Sequence, residues 1–318
     1  MTQKQFRLVL WLSGALLVVL GLGEAFARVY LGLGTPPLYV EHPTIEYLHK
    51  PNQDVRRFGN RVLINAYGMR SENFPRHRQP GEIRIMVFGD SVLNGGSLTD
   101  HAKLATTLLA KSLRARTGRQ VTVGHISAGS WGPGNWLAYV REYGFFDADV
   151  VMLVASSHDY GDNPTFHKLD EFTHPTRTPL SALVEGATRY LPRYLPQLDS
   201  GGDTPEAGYA PAPADAERAH ALGDLQEFLQ LARQHGGKVV VLQHYEKREL
   251  GRATLPEGHA YIKALCEELQ IAAVSLEPAF TAALQEGFTP YRDNIHLTDS
   301  GQQLLAEIMQ RETNVQPR

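Results

Sequence analysis

Five apolar runs of strand length, at residues 83–88, 121–126, 150–155, 238–243 and 271–276, alternate with stretches of helical periodicity. Strands buried on both faces read as continuous apolar runs, and parallel neighbours need a crossover helix between them. The helices are expected near 101–116, 135–146, 213–235, 257–269 and 298–311. This alternation predicts an α/β fold, a doubly wound parallel sheet of about five strands with helices on both faces. Ligands of such sheets bind at the carboxyl ends of the strands, so the chemistry belongs on the loops that follow these runs.

Ahead of this domain, residues 8–23 carry no charge, with Lys4 and Arg7 before them and Glu24 after. Sixteen helical residues cover roughly 24 Å, short of a hydrocarbon core of ~30 Å unless Arg7 snorkels and the helix continues through Phe26 and Tyr30. Ala25-Phe26-Ala27 has the small-x-small form of a signal-peptidase site, yet the apolar pattern runs on through Val29, Tyr30 and Leu31. An uncleaved anchor over about 7–31 is the leading expectation; a cleaved signal peptide and a buried core helix are the alternatives. Lys4 and Arg7 place the N-terminus in the cytoplasm, which makes the chain a single-pass inner-membrane protein with its main domain in the periplasm. The expected organisation is a tip, anchor and linker over 1–35, a small β-rich extension over 36–80, and the main domain over 81–318. An insertion at about 160–212 leaves a strand's carboxyl end, as a lid over the cleft or as decoration, and its part at 200–213 reads as a mobile surface loop.

Charge and composition remove several classes of function. Lys and Arg total 31 against 34 Asp and Glu, so there is no excess of cations for a phosphate backbone and no nucleic-acid partner is expected. The single cysteine, Cys266, excludes an intrachain disulfide and a multi-cysteine metal site. The 13 histidines include no His-x-x-x-His pair and no His-Glu-x-x-His run, so neither a metal nor an organic cofactor is expected.

Gly89-Asp90-Ser91 directly follows the first run and precedes Asn94-Gly95-Gly96, which puts a hydroxyl at the sheet's carboxyl edge. A serine there is a nucleophile only if a base takes its proton and a third group orients the base. Asp293 and His296, three residues apart just before the last helix, supply that pair. Trp131, Trp136, Tyr160 and Phe166 lie on or beside the same edge, either stacking on a sugar ring or packing internally. His244 follows the fourth run and reads as a supporting residue.

Gly89-Asp90-Ser91 and Asp293-Asn294-Ile295-His296 resemble the first and last sequence blocks of the SGNH/GDSL hydrolase family, over roughly 83–311. The resemblance implies a flavodoxin-like sheet, a Ser91–His296–Asp293 triad and an acyl-enzyme. The family's second block carries an Asn and, five residues on, a glycine whose N–H faces the oxyanion; Gly132 matches that glycine, with Ser127 in place of the Asn. Its third block reads Gly-x-Asn-Asp with the Asn as an oxyanion donor; here Ser156-Ser157-His158-Asp159 stands in its place. The implied oxyanion hole is therefore Ser91, Gly132 and His158, with His158 read as donor or substrate contact, as a structural residue, or as a mark of lost activity. Asp159 is expected to hold its loop by accepting backbone hydrogen bonds.

The runs Arg57-Phe58-Gly59-Asn60-Arg61 and Asn65-Ala66-Tyr67-Gly68-Met69-Arg70 resemble anchored members associated with bacterial exopolysaccharide production. The implied activity is a serine esterase removing O-acyl, in particular O-acetyl, groups from a carbohydrate or exopolysaccharide, with polysaccharide-biosynthesis proteins as possible partners. Two other readings stand beside it: an acyltransferase using the same acyl-enzyme, and an inactive binding or scaffold module of a polysaccharide assembly.

Overall fold

The structure, a computed structural model, describes residues 2–191 and 212–313. Helix α1 (Gln3–Val29) leads into two antiparallel hairpins, β1 (Tyr39–His42) with β2 (Glu46–His49) and β3 (Gln53–Arg57) with β4 (Asn60–Ile64). The main domain then alternates β5 (Ile83–Gly89), α2 (Ser91–Asn94), α3 (Ala105–Thr117), β6 (Val121–Ser127), α4 (Pro133–Tyr143) and β7 (Val150–Ala155). After the insertion with its short helix α5 (Ala182–Glu185) come α6 (Asp215–Gln234), β8 (Lys238–Gln243), α7 (Glu257–Glu268), β9 (Ala272–Ser275), α8 (Glu277–Gln285) and α9 (Asp299–Thr313).

Strands β5 to β9 form one parallel sheet in the order β6-β5-β7-β8-β9. Each apolar run of the sequence becomes one of these strands to within a residue. The chain steps from β5 to β6 on one side and returns to β7 on the other, so the crevice at the carboxyl end of β5 is the topological switch point.

Alternate residues of each strand serve opposite faces. Met86, Phe88, Val151 and Leu153 pack with Trp136, Leu225, Phe228 and Ile262 on the side of α4, α6 and α7. Ile85, Val87, Met152 and Val154 pack with Leu109, Phe280, Leu305 and Met309 on the side of α3, α8 and α9. The hairpin β1–β2 is not separate from this: Ile45, Tyr47 and Leu48 are buried in the first of these cores. Helix α3 starts later than its periodicity suggests, because Leu104 is extended (φ −62°, ψ 141°) after a 3-10 turn at His101–Lys103. Helix α8 is an element that the alternation did not announce.

Helix α1 is continuous through Ala25-Phe26-Ala27, and only Ala27 within it is buried. Its 27 residues, with an apolar window of mean hydropathy 2.0, make it long and apolar enough to cross a membrane. Its last turn also belongs to the folded body: Leu33 N–H donates to Ala27 O at 3.0 Å, and Phe58 N–H to Leu31 O at 2.9 Å. In the insertion, Glu46 accepts from Thr165 N–H and hydroxyl and from Phe166 N–H, which ties that stretch to the first hairpin. Most of the 200–213 stretch expected to be a mobile loop lies outside the described residues.

Candidate active site

The strand β5 ends at Gly89, where a Cβ would stand 2.9 Å from that of Leu93, so the chain passes directly from strand to helix only with glycine here. Asp90 is the N-cap of α2, its Oδ1 accepting from Val92 N–H at 2.8 Å. Ser91 is thereby placed on the first helical residue, at the switch point. Three buried groups brace this turn. Trp136 Nε1–H donates to Gly89 O at 3.0 Å, Asn94 Nδ2 donates to Ser127 O and Oγ at 3.2 and 3.1 Å, and the Arg70 guanidinium donates to the carbonyls of Asn94 and Thr99.

The loop before α9 closes on Ser91 from the far end of the sequence. His296 Nε2 lies 2.9 Å from Ser91 Oγ, and His296 Nδ1 lies 2.8 Å from Asp293 Oδ2. The second carboxylate oxygen, Asp293 Oδ1, accepts from the backbone N–H of Ile295 (2.9 Å) and His296 (2.7 Å), so the same side chain shapes the loop and aims the ring. With Nδ1–H donating to Asp293, Nε2 is the acceptor for the Ser91 hydroxyl. These hydrogen bonds, with burial opposing them, hold Asp293 below the usual carboxylate range.

His244, at the carboxyl end of β8, is buried, and its Nε2–H donates to Ile295 O at 3.0 Å. Burial depresses its pKa to about 4, which makes it a neutral donor. Asn294 adds a second fastening, donating to Glu246 and accepting from the backbone N–H of Lys247 and Arg248. We expect His244→Ala to lower stability by about 1–3 kcal/mol through the orphaned Ile295 carbonyl, and to reduce kcat by loosening His296. The pH dependence has a defined sign. A histidine neutral when folded contributes stability that is full above about 6.5 and is lost as pH falls from there towards 4. Urea midpoints measured from pH 7 to 5 therefore drop less steeply in His244→Ala than in the parent; equal slopes would count against a neutral buried His244.

The residues around the expected oxyanion site divide. Ser91 N–H donates to no partner among the described residues. Gly132 departs from its expected role: its N–H donates to Asn135 Oδ1 at 2.9 Å inside the protein. The reason is local. Gly132 caps α4, and Asn135, three residues on, reaches back to the cap N–H while its Nδ2 is held by Ile45 O and Glu46. A donor committed in this way is not aimed at a substrate.

His158 follows β7, and its Nε2 is surrounded by carboxylates, at 3.4 Å from Asp90, 3.7 Å from Asp162 and 3.8 Å from Asp159. Burial alone would lower its pKa, but the bond to Asp90 and the charges of Asp159, Asp90 and Asp162 outweigh it and push the value up to about 10. The carboxylates favour the imidazolium form of His158, while burial raises Asp159 and Asp162 in the same cluster, so these groups share their protons as a set; about a third of the His158 side chain (34%) is exposed. Asp159 Oδ2 accepts from Ser156 N–H at 2.6 Å, in the loop-holding role expected of it. Behind the loop, Ser157 donates to Glu249, which also meets His259 at 3.0 Å.

Sequence reasoning did not single out Arg70, Asp90 or Asp162 as parts of this site: Arg70 reaches the turn after Ser91 from a distant loop, and Asp90, next to Ser91, meets His158 and its neighbour Asp162 only in the fold. Of the aromatics, Trp131 and Trp136 are core residues, and Tyr160 stacks on Tyr261 with ring centroids 5.6 Å apart. Phe166 alone of the four is exposed.

Residues 87–304 match the profile of the GDSL-like Lipase/Acylhydrolase family, more than half of the chain. The chain belongs to that family. It is an ester hydrolase of the GDSL type, and the profile spans the sheet from β5 to α9, including Ser91, Asp293 and His296. Solved structures similar to this GDSL hydrolase include a lipolytic G-D-S-L protein from Veillonella parvula, 13% identical, covering 73% of this chain and 100% of that one, with a TM-score of 0.45. Others are the acetyl xylan esterase AlAXEase, 15% identical over 72% and 99% of the two chains with a TM-score of 0.46, and Axe2, an acetylxylan esterase from Geobacillus stearothermophilus. The latter is 13% identical over 74% and 96%, with a TM-score of 0.47. No curated protein matches the sequence significantly.

Proposed function

We propose that this GDSL hydrolase is a membrane-anchored serine esterase with Ser91 as nucleophile, His296 as general base and Asp293 as its orienting carboxylate. The observation that carries the reading is the unbroken relay from Asp293 Oδ2 through His296 to Ser91 Oγ, at 2.8 and 2.9 Å, at the sheet's switch point. His296 Nε2 takes the Ser91 proton as Oγ bonds to an ester carbonyl carbon, and the Ser91 N–H and the His158 imidazolium receive the oxyanion. Collapse breaks the ester C–O bond, His296 returns the proton to the departing alcohol, and the acyl-enzyme remains. Water, deprotonated by His296, then releases the acid and restores Ser91.

The substrate we propose is an O-acyl, in particular O-acetyl, ester of a carbohydrate such as an exopolysaccharide, with polysaccharide-biosynthesis proteins as neighbours. Support comes from the two N-terminal runs that resemble exopolysaccharide-associated members: both are built into the fold, Arg57 through a buried ion pair with Glu185 and Arg70 through the loop after Ser91. The test is a fluorophosphonate probe on the purified protein, read by intact mass with Ser91→Ala and His296→Ala alongside. A single adduct, lost in both variants, is expected; an unlabelled parent would shift the reading to a binding module. Acetate release from an O-acetylated polysaccharide then tests the substrate class. Acetyl transfer to added oligosaccharide faster than hydrolysis would make the protein a transferase.

We further propose that α1 is an uncleaved anchor with Lys4 and Arg7 in the cytoplasm and the hydrolase domain in the periplasm. Cleavage after Ala27 would discard Glu24, whose carboxylate accepts hydrogen bonds from Ser181, Ala182 and Leu183 of the folded domain. The mature protein extracted from membranes is expected to retain α1 by intact mass; an N-terminus at Arg28 would refute the anchor.

A further inference from the structure

The insertion carries apolar side chains that nothing among the described residues covers: Leu180 is wholly exposed, Val184 59% and Leu191 50% exposed. The stretch bearing them is fastened to the membrane helix. Glu24 accepts from Ser181 Oγ (2.8 Å) and from the N–H groups of Ala182 (2.8 Å) and Leu183 (2.9 Å) at the start of α5. Arg28, one turn further along α1, pairs with Glu24 at 2.6 Å and donates to Leu180 O at 3.0 Å. Leu183 packs against α1 at Gly23, where a Cβ would lie 3.6 Å from its methyl carbons. From the other side, Glu185 forms a fully buried pair with Arg57 at 2.6 Å, which locks α5 to the hairpin β3–β4. The segment is therefore set rigidly beside the last turns of α1.

The height of those turns follows from helix geometry. Glu24 is seventeen helical steps beyond Arg7, roughly 26 Å at 1.5 Å per step. With Arg7 snorkelling at the inner edge of a hydrocarbon layer of ~30 Å, Glu24 comes to within roughly 4 Å of the outer edge, and the residues bonded to it lie at the same level. An apolar side chain exposed there meets acyl chains and glycerol, not bulk water. Arg28, one turn beyond Glu24 on α1, falls at the level of the lipid phosphates, the usual place for a long cationic side chain at a membrane edge.

We propose that residues 177–191 form a second membrane contact, in which Leu180 and Val184 enter the headgroup–acyl boundary of the leaflet from which α1 emerges. The hydrolase domain is then seated against the bilayer in one orientation and does not swing on a flexible linker. This inference rests on α1 spanning the membrane, and the experiment separates the two. The full chain is labelled with an environment-sensitive fluorophore at Leu180→Cys or, separately, Leu17→Cys, and placed one copy per lipid nanodisc so that no second chain covers the site. Cys266 is buried, with its thiol pushed up to about 11 by that burial, and stays unlabelled. At position 180 the expected result is loss of fluorescence to a lipid spin label near the headgroup and protection from aqueous iodide. At position 17 the loss is expected with a spin label deep in the acyl chain. Iodide quenching at 180 with lipid quenching at 17 would overturn this contact alone; iodide quenching at 17 would overturn the anchor with it.

Discussion

Ser91→Ala is expected to reduce ester hydrolysis by roughly 10⁴-fold or more in kcat, with the fold and thermal midpoint unchanged. In the proposed mechanism the hydroxyl is the atom that bonds to the acyl carbon, and it is replaced without disturbing the turn, because the cap is made by Asp90 and the helix by the backbone. His296→Ala should fall to a similar level, and the double variant no further, since nucleophile and base act as one unit. Asp293→Asn should lose less than either. Its oxygen can still receive the N–H groups of Ile295 and His296, while its amide would face Nδ1 and favour the wrong tautomer; but the carboxylate is 49% exposed, so water compensates in part. Single-turnover rates on an acetyl ester across the four proteins check the ordering. A Ser91→Ala protein keeping a tenth of the activity would mean that another group is the nucleophile.

The sheet was legible because β5, β6 and β7 are buried along their whole length, the edge strand β6 included, so they read as apolar runs whatever their neighbours. The relay was legible because each half sits in a short local motif whose position in the alternation determines which edge of the sheet it reaches. What escaped depends on contacts between distant loops. Gly132 lies where a backbone donor was expected, yet Asn135, backed by Ile45 and Glu46 of the first hairpin, takes its N–H. Nothing local to residues 127–132 announces that competition. The same holds for the hairpin itself, readable as β-rich but not as part of the main core, and for α8, a nine-residue helix entered through Pro278 and recognisable only once Phe280 is seen in the core. His158 was visible as a substitution in a motif, but its charge state was not, because Asp90 reaches it from the loop after β5 and only the fold brings Asp90, Asp159 and Asp162 together around one nitrogen.

That charge state leads to the second large effect. In the proposed mechanism, with the Gly132 N–H held by Asn135 and His158 Nε2 directed at Asp90, the donors for the oxyanion are the Ser91 N–H and His158 Nδ1–H, so His158→Ala should lower kcat by ~10²- to 10³-fold, the usual cost of one donor. His158→Asn restores a neutral donor and should recover most of the rate, which a purely structural histidine would not require. The pH profile discriminates further. His158 loses its proton near pH 10, so kcat in the parent should fall on approaching that pH, and the Asn variant should lack this limb. Stability gives an independent reading with its own sign. The folded-state value is raised above the unfolded 6.5, so the contribution of His158 is full below about 6.5 and shrinks as pH rises, vanishing above about 10. Between those limits the parent's thermal midpoint should decline more steeply with pH than that of His158→Asn. Parallel curves together with an unchanged alkaline limb would show that the carboxylates of Asp90, Asp159 and Asp162 do not hold His158 charged, and would remove it from the oxyanion site.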